Sequence, residues 1–218
     1  KVSRGTNDAS VEPAMSLQQA QLALNYGAQV AVDVIDKGAD IIALGEMGIG
    51  NSSSAALLIH RLTGEELDRC IGPGAGHSDE GMAIKRAVLT RAADRSNASD
   101  PMDVLVEFGG FEIGQIAGAI LECAKRRVPV LIDGFICSSA ALLAIRLAPH
   151  AQDFCIFTHT SAEPGYKAIT DALNVRPLLD LDMRLGEGTG ALLAVPIIRS
   201  ACAITTDVAT LVEVLGAA

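Results

Sequence analysis

The sequence predicts an α/β fold: a parallel sheet with helices on both faces, three-layered and Rossmann-like. Short apolar runs that end in Gly or Asp-Gly alternate along the chain with longer segments whose apolar residues recur at helical spacing, the signature of strands feeding helices. Half of the residues are apolar, 21 are Gly, aromatics make up 3% and Trp is absent. That profile suits helices packed closely on a buried parallel sheet. At 218 residues the chain can form one large domain, spanning 1–218, with a proper core.

Each element has a local cause. Residues 1–15 are irregular and polar. Ser16 with Gln19 three positions later forms a capping box, and apolar residues from Leu17 to Ile35 then recur at helical spacing up to Lys37-Gly38. Asp40 to Leu44 reads as a buried strand ending at Gly45. A helix follows Gly50, capped by Asn51 or Ser52, and a later one carries Lys85. Asp103 to Glu107 reads as a strand ending at Phe108-Gly109-Gly110 and leading to a helix from about Ile113 to Lys125. Pro129 to Ile132 is a further buried strand, ending at Asp133-Gly134 before an Ala/Leu-rich helix from Ser138 to Ala148. Phe154 to Phe157 ends in Thr158-His159-Thr160-Ser161, and Pro177 to Leu181 precedes the last helix, Ala191 to Ala203. Arg95 to Pro101 is a polar loop rather than a domain boundary.

Composition excludes several classes. A net charge of −9 argues against nucleic acid, whose phosphates need basic patches. No apolar run reaches the roughly 18–20 residues of a membrane span, and no secretory signal opens the chain. The five cysteines (Cys70, Cys123, Cys137, Cys155, Cys202) form no C-x-x-C pair. They read as small buried residues of a reducing cytoplasm. His60, His77 and His150 lack ligand spacing, so neither a metal nor another cofactor is expected.

In sheets of this kind ligands bind beyond the carboxyl ends of the strands, where the Gly-rich segments fall. Gly45-Glu46-Met47-Gly48-Ile49-Gly50-Asn51-Ser52 offers backbone N–H groups at a helix start, a natural anion site. It is neither a Walker loop nor G-x-G-x-x-G. Gly72-Pro73-Gly74-Ala75-Gly76 precedes a helix with Lys85, whose charge could hold a phosphate or simply face solvent. Ser161, near His159 and Glu163, reads as a phosphate-contacting hydroxyl or as a helix cap, with no nucleophile elbow around it. Asp133 could orient backbone groups or touch a ligand ribose. In Arg184-Leu185-Gly186-Glu187-Gly188-Thr189-Gly190 one carboxylate stands between two glycines. It is placed either to take a proton from a bound substrate or to favour a helix N-terminus.

Arg4-Gly5-Thr6, Glu12-Pro13-Ala14-Met15, Ala43 to Asn51, Gly109-Gly110-Phe111-Glu112, Val130 to Phe135, His159 to Glu163 and Arg184 to Gly190 together resemble the nicotinate-nucleotide:5,6-dimethylbenzimidazole phosphoribosyltransferase family. They occur in family order and cover nearly the whole chain. The resemblance implies transfer of phosphoribose from nicotinate mononucleotide to 5,6-dimethylbenzimidazole or a related base, giving α-ribazole 5′-phosphate and nicotinate. Glu187 is then the general base, and the nucleotide-binding segments fall on Glu46, Gly48, Asn51, Lys85 and Ser161. An apolar pocket that includes Leu185 is expected to raise the pKa of Glu187. The resemblance also implies a cytoplasmic homodimer. The family's usual N-terminal segment has no counterpart before Arg4, so the chain is expected to be a shortened form with an incomplete benzimidazole side. Competing expectations are a non-catalytic nucleotide-binding relative, half of a split enzyme, or a generic α/β dinucleotide-binding oxidoreductase.

Overall fold

The computed structural model describes residues 1–74, 76 and 78–216. Three parallel strands, β1 (Ile42–Leu44), β2 (Val130–Ile132) and β3 (Cys155–Phe157), lie side by side in that order. Ile42 stands opposite Val130, and Val130 opposite Cys155. All three residues of β2 are buried, as expected for the central strand of a covered parallel sheet.

The first helix, α1 (Leu17–Ile35), starts as its sequence dictates. Gln19 N donates to Ser16 Oγ at 3.2 Å, and Ser16 N donates to Gln19 Oε1 at 2.9 Å. Next come α2 (Asn51–Thr63), the short α3 (Leu67–Cys70) and α4 (Asp79–Arg95), the last capped by Ser78. Then follow α5 (Pro101–Phe108), α6 (Phe111–Arg126) and α7 (Phe135–Leu147). A 3-10 turn at Pro149–Phe154, α8 (Tyr166–Leu173), α9 (Thr189–Asp207) and α10 (Leu211–Gly216) complete the order. One continuous hydrophobic cluster joins α2, α5, α6 and α7 to the sheet. Its largest enclosed side chains include Phe108, Leu57, Leu58, Leu142 and Leu143, each contributing roughly 1.5–3 kcal/mol by leaving water.

Several expectations need correction. Asp103 to Glu107 is not a strand but most of α5. Asp100 accepts from Met102 N at 2.9 Å and Asp103 N at 3.4 Å, and Pro101 fills the first helical position. That start signal outweighs an apolar run whose buried members, Val104, Leu105 and Phe108, share a helix face. Pro177 to Leu181, to which the sequence assigned no element, is not a strand. It runs beside β3 for one parallel bridge, His159 with Leu179. Leu178 N donates to Phe157 O and Leu179 N to Thr158 O, both at 3.0 Å. Pro177 has no N–H with which to extend that ladder. The helix after Gly50 is capped by Gly50 itself, without a side-chain bond, and Asn51 is already inside it.

By length and composition alone, Thr189–Gly216 is apolar enough to cross a membrane, contrary to the sequence expectation, because α9 continues almost directly into α10. Only Gly190, Ala191 and Ala194 of α9 are buried. The cysteine expectation also divides. Cys70, Cys123 and Cys137 are buried and Cys155 is partly so, whereas Cys202 on α9 is exposed. Burial pushes the Cys70 and Cys155 thiols up to about 12 and Cys123 up to about 11.

Candidate active site

Four loops meet beyond the carboxyl ends of the strands and enclose a cavity of about 250 Å³. Glu46 to Ser52 follow β1, Asp133 to Cys137 follow β2, and His159 to Glu163 follow β3. Arg184 to Glu187 precede α9, and Gly74 closes the far corner. Of the residues singled out from sequence, Glu46, Gly48, Asn51, Ser161, Leu185 and Glu187 all line this one cavity. Lys85 lines a larger neighbouring cavity of about 690 Å³ instead, which shares Gly50 and Ser52 with the first and is walled by Thr6 to Ser10. The Lys85 ammonium nevertheless reaches the shared wall, donating to Ser52 Oγ at 3.0 Å. Among the motifs read from sequence, Ala75 and His77 lie outside the described residues.

Lys85 is not a solvated surface lysine. It is 8% exposed, and its ammonium also donates to Gly72 O at 2.7 Å. Burial lowers its pKa, and the nearby Glu163 carboxylate opposes that shift. The β1 loop is tied internally: Asn51 Nδ2 donates to Glu46 Oε2, and a Cβ at Gly48 would press on the Asn51 amide. Burial raises the Glu46 pKa, the Asn51 hydrogen bond opposes it, and Glu112, Asp133 and Glu187 raise it further. Three of these carboxylates, Glu46, Asp133 and Glu187, line the cavity itself, a negative field suited to a cationic group.

Glu187 itself has φ of +60°, flanked by Gly186 at +77° and Gly188 at +81°. A left-handed Glu costs of order 1 kcal/mol or more and persists only where its surroundings hold it. Asp133 does so. Its two carboxylate oxygens accept from Gly188 N at 2.9 Å, Gly190 N at 2.9 Å and Ala191 N at 3.2 Å. A buried aspartate at the end of β2 thus caps the N-terminus of α9 in place of a residue from α9's own sequence. On the other side of the turn the Gly45 Cα lies against the Gly188 backbone, where any Cβ would collide. Of the two roles the sequence left open for Asp133, orienting backbone groups is the one observed. His159, 1% exposed, completes the support, with Nδ1 3.5 Å from Asp133 Oδ1 and its ring against Gly190.

The desolvation expected at Glu187 is not present in this form. Glu187 is exposed and Leu185 is 67% exposed; the carboxylate raised by burial is Glu46. Ser161 is half-buried and accepts from Glu163 N at 3.3 Å, closing a short turn of its own rather than capping α8. The clamp by Asp133 and the burial of His159 were not foreseen from sequence as a support for Glu187. Their only signal there was a polar residue at the end of each apolar strand.

A strand-end cavity with a glycine loop, a fixed carboxylate and a buried ammonium bonded to its wall at Ser52 defines the class: an α/β protein with a candidate ligand site beyond the carboxyl ends of its strands. A family model described as Phosphoribosyltransferase matches residues 1–214, and the chain belongs to that family. It is 50% identical over 210 residues to the nicotinate-nucleotide--dimethylbenzimidazole phosphoribosyltransferase of Ralstonia nicotianae, covering 96% of this chain and 59% of that protein. To the protein of the same name from Chloroflexus aggregans it is 47% identical, covering 98% of this chain and 61% of that one. The crystal structure of CobT from Thermus thermophilus superposes with a TM-score of 0.93 at 41% identity, covering 98% of this chain and 64% of that one. The chain thus spans about 60% of the length of the curated relatives it matches.

Proposed function

We propose that the protein transfers the phosphoribosyl group of nicotinate mononucleotide to 5,6-dimethylbenzimidazole or a related base, releasing nicotinate and forming α-ribazole 5′-phosphate. The observation that carries this reading is the Glu187 carboxylate, held in a left-handed turn by three backbone hydrogen bonds to Asp133, at the mouth of a cavity whose wall at Ser52 is bonded to the buried Lys85 ammonium.

In this scheme Glu187 accepts the N–H proton of the benzimidazole. The nitrogen lone pair attacks C1′ of the ribose on the face opposite nicotinate, and the C1′–N bond to nicotinate breaks with its electron pair going to the pyridine nitrogen. That nitrogen is cationic before it leaves, so departure neutralises charge and needs no proton. Positive charge grows on the ribose instead, and the carboxylates of Glu46, Asp133 and Glu187 supply the matching field. Lys85, Ser52 and the N–H groups at the start of α2 form the corner for the phosphate, where helix-start amides and an ammonium both favour a dianion. Glu46, Gly48, Asn51 and Ser161 line the donor side, and Leu185 offers an apolar surface for the acceptor ring.

The reading extends to assembly and setting. A homodimer is supported by the apolar face of α9, where Leu192, Leu193, Ile197 and Ile204 are exposed. Light scattering of the purified chain checks it, a dimer mass being expected. A cytoplasmic, single-domain protein rather than a membrane-spanning one belongs to the same reading, supported by the polar nucleotide donor that the relatives' name gives.

The direct test incubates the chain with nicotinate mononucleotide and dimethylbenzimidazole and measures free nicotinate. Release that depends on the base is expected. Nucleotide binding without release would leave only a binding protein and overturn the catalytic reading.

A further inference from the structure

One carboxylate in the cavity has no part in the scheme above. Glu163 follows β3, and its Oε1 accepts from Gly74 N at 3.1 Å. Its Oε2 is buried without a hydrogen-bond partner, against the Gly72 Cα, where a Cβ would collide with it. Its own N–H donates to Ser161 Oγ at 3.3 Å. On the other side of the glycine loop, Gly72 O accepts from Lys85 Nζ at 2.7 Å, and the same ammonium donates to Ser52 Oγ at 3.0 Å. The contacts form one continuous path from Ser161 through Glu163 and the glycine loop to Lys85 and Ser52.

A carboxylate facing a corner built for an anion opposes that anion by charge, so its presence calls for another contribution. The geometry supplies one. The one side chain in the stretch Gly72 to Gly74, the Pro73 ring, is exposed and anchors nothing, and Gly74 has φ of +56°. Its links to the rest of the fold run through Glu163 on one side and Lys85 on the other. We propose that Glu163 is a positioning residue for the donor's phosphate: it pins the glycine loop to the loop after β3, and so fixes Gly72 O and the ammonium that Gly72 O orients. This rests on the proposed use of the Lys85 corner for phosphate. Glu163 acts through the loop and does not touch the nucleotide. Its charge has a secondary effect, sustaining the protonated form of a lysine that burial would otherwise weaken.

The two contributions separate by substitution. Glu163→Gln keeps an acceptor oxygen for Gly74 N–H and removes the charge. Glu163→Asp keeps the charge and withdraws the acceptor, and Glu163→Ala removes both. Calorimetric titration with nicotinate mononucleotide, beside steady-state nicotinate release, gives the readout. Glu163→Ala and Glu163→Asp are expected to raise the nucleotide Kd and KM about tenfold with kcat within about threefold. Glu163→Gln is expected to stay within about threefold of the unaltered chain in both. Hydrogen exchange at the Gly74 amide should quicken in the Ala and Asp variants and not in the Gln variant. If Glu163→Ala fails to fold, the Asp and Gln variants carry the same contrast. Equal loss in Asp and Gln, unchanged nucleotide affinity in Asp, or a fall confined to kcat would each overturn the proposal while leaving the proposed reaction standing. An unaltered chain that binds no nicotinate mononucleotide would overturn both.

Discussion

Two helices of near-identical character leave the same corner of this molecule and meet opposite fates. Both α7 and α9 are Ala/Leu-rich, both start beside Asp133, and both follow a glycine turn. Every residue of α7 from Phe135 to Ile145 is buried, whereas α9 buries only Gly190, Ala191 and Ala194. Apolar composition alone therefore does not decide which helix is core. What differs is the anchoring. α7 is held by side chains against α2, α6 and the sheet, while α9 is held at its first turn by a single carboxylate. The catalytic candidate sits in the turn that leads into the helix held by hydrogen bonds, so the placement of Glu187 depends on Asp133 more than on packing.

That contrast can be broken from either end. Asp133→Ala leaves three backbone N–H groups without their acceptor. A loss of about 3–5 kcal/mol in unfolding free energy is expected, with turnover abolished, measured by denaturant unfolding and nicotinate release. Near-normal turnover in a folded Asp133→Ala chain would show that α9 seats itself by packing after all. Next in size is Leu142→Ala in α7, where a large enclosed side chain leaves a cavity and about 2–5 kcal/mol is expected. The matching change in α9, Leu193→Ala, is expected to cost the single protomer within about 1 kcal/mol, since half of that side chain faces water there, any further loss appearing as a concentration-dependent weakening of the dimer. Equal losses at the two sites would erase the distinction.

A smaller effect concerns His159. Burial lowers its pKa below 6.5, and the Asp133 charge opposes that shift. The folded chain therefore holds fewer protons than the unfolded chain between the folded-state pKa and 6.5. Stability is complete above 6.5 and declines as pH falls through that window. Thermal midpoints measured from about pH 7.5 down to about 5 should fall, and His159→Gln should flatten the slope. A midpoint that rises on acidification would place a charged imidazolium in the fold. The smallest effect is chemical: in the native state Cys202 alone should react readily with a thiol reagent, and all five cysteines should do so once unfolded.

The sequence carried the parts of this fold that have local causes. The Ser16/Gln19 box, the three strands ending at Gly45, Asp133 and Thr158, and the convergence of glycine loops follow from spacing and chain order. Asp103 to Glu107 was misread because a short apolar run, Val104-Leu105-Val106, fits a strand or a helix equally; the Asp100-Pro101 start signal was the arbiter. At the site, residue types and positions were legible while their supports were not. Asp133 lies 55 residues from Gly188 and 58 from Ala191, and no local pattern announces that an aspartate on one strand will cap a helix so distant. The environment of Glu187 was misjudged for a similar reason. Leu185 is apolar by type but exposed by position.

The central claim is that Glu187, set in its turn by Asp133, is the base for an aromatic nitrogen. Replacing Glu187 with Gln preserves shape and removes the basic oxygen. Nicotinate release is expected to fall about 10²–10⁴-fold, with nicotinate mononucleotide binding nearly unchanged by calorimetry. Loss of nucleotide binding with normal residual chemistry in Glu187→Gln would contradict the assignment.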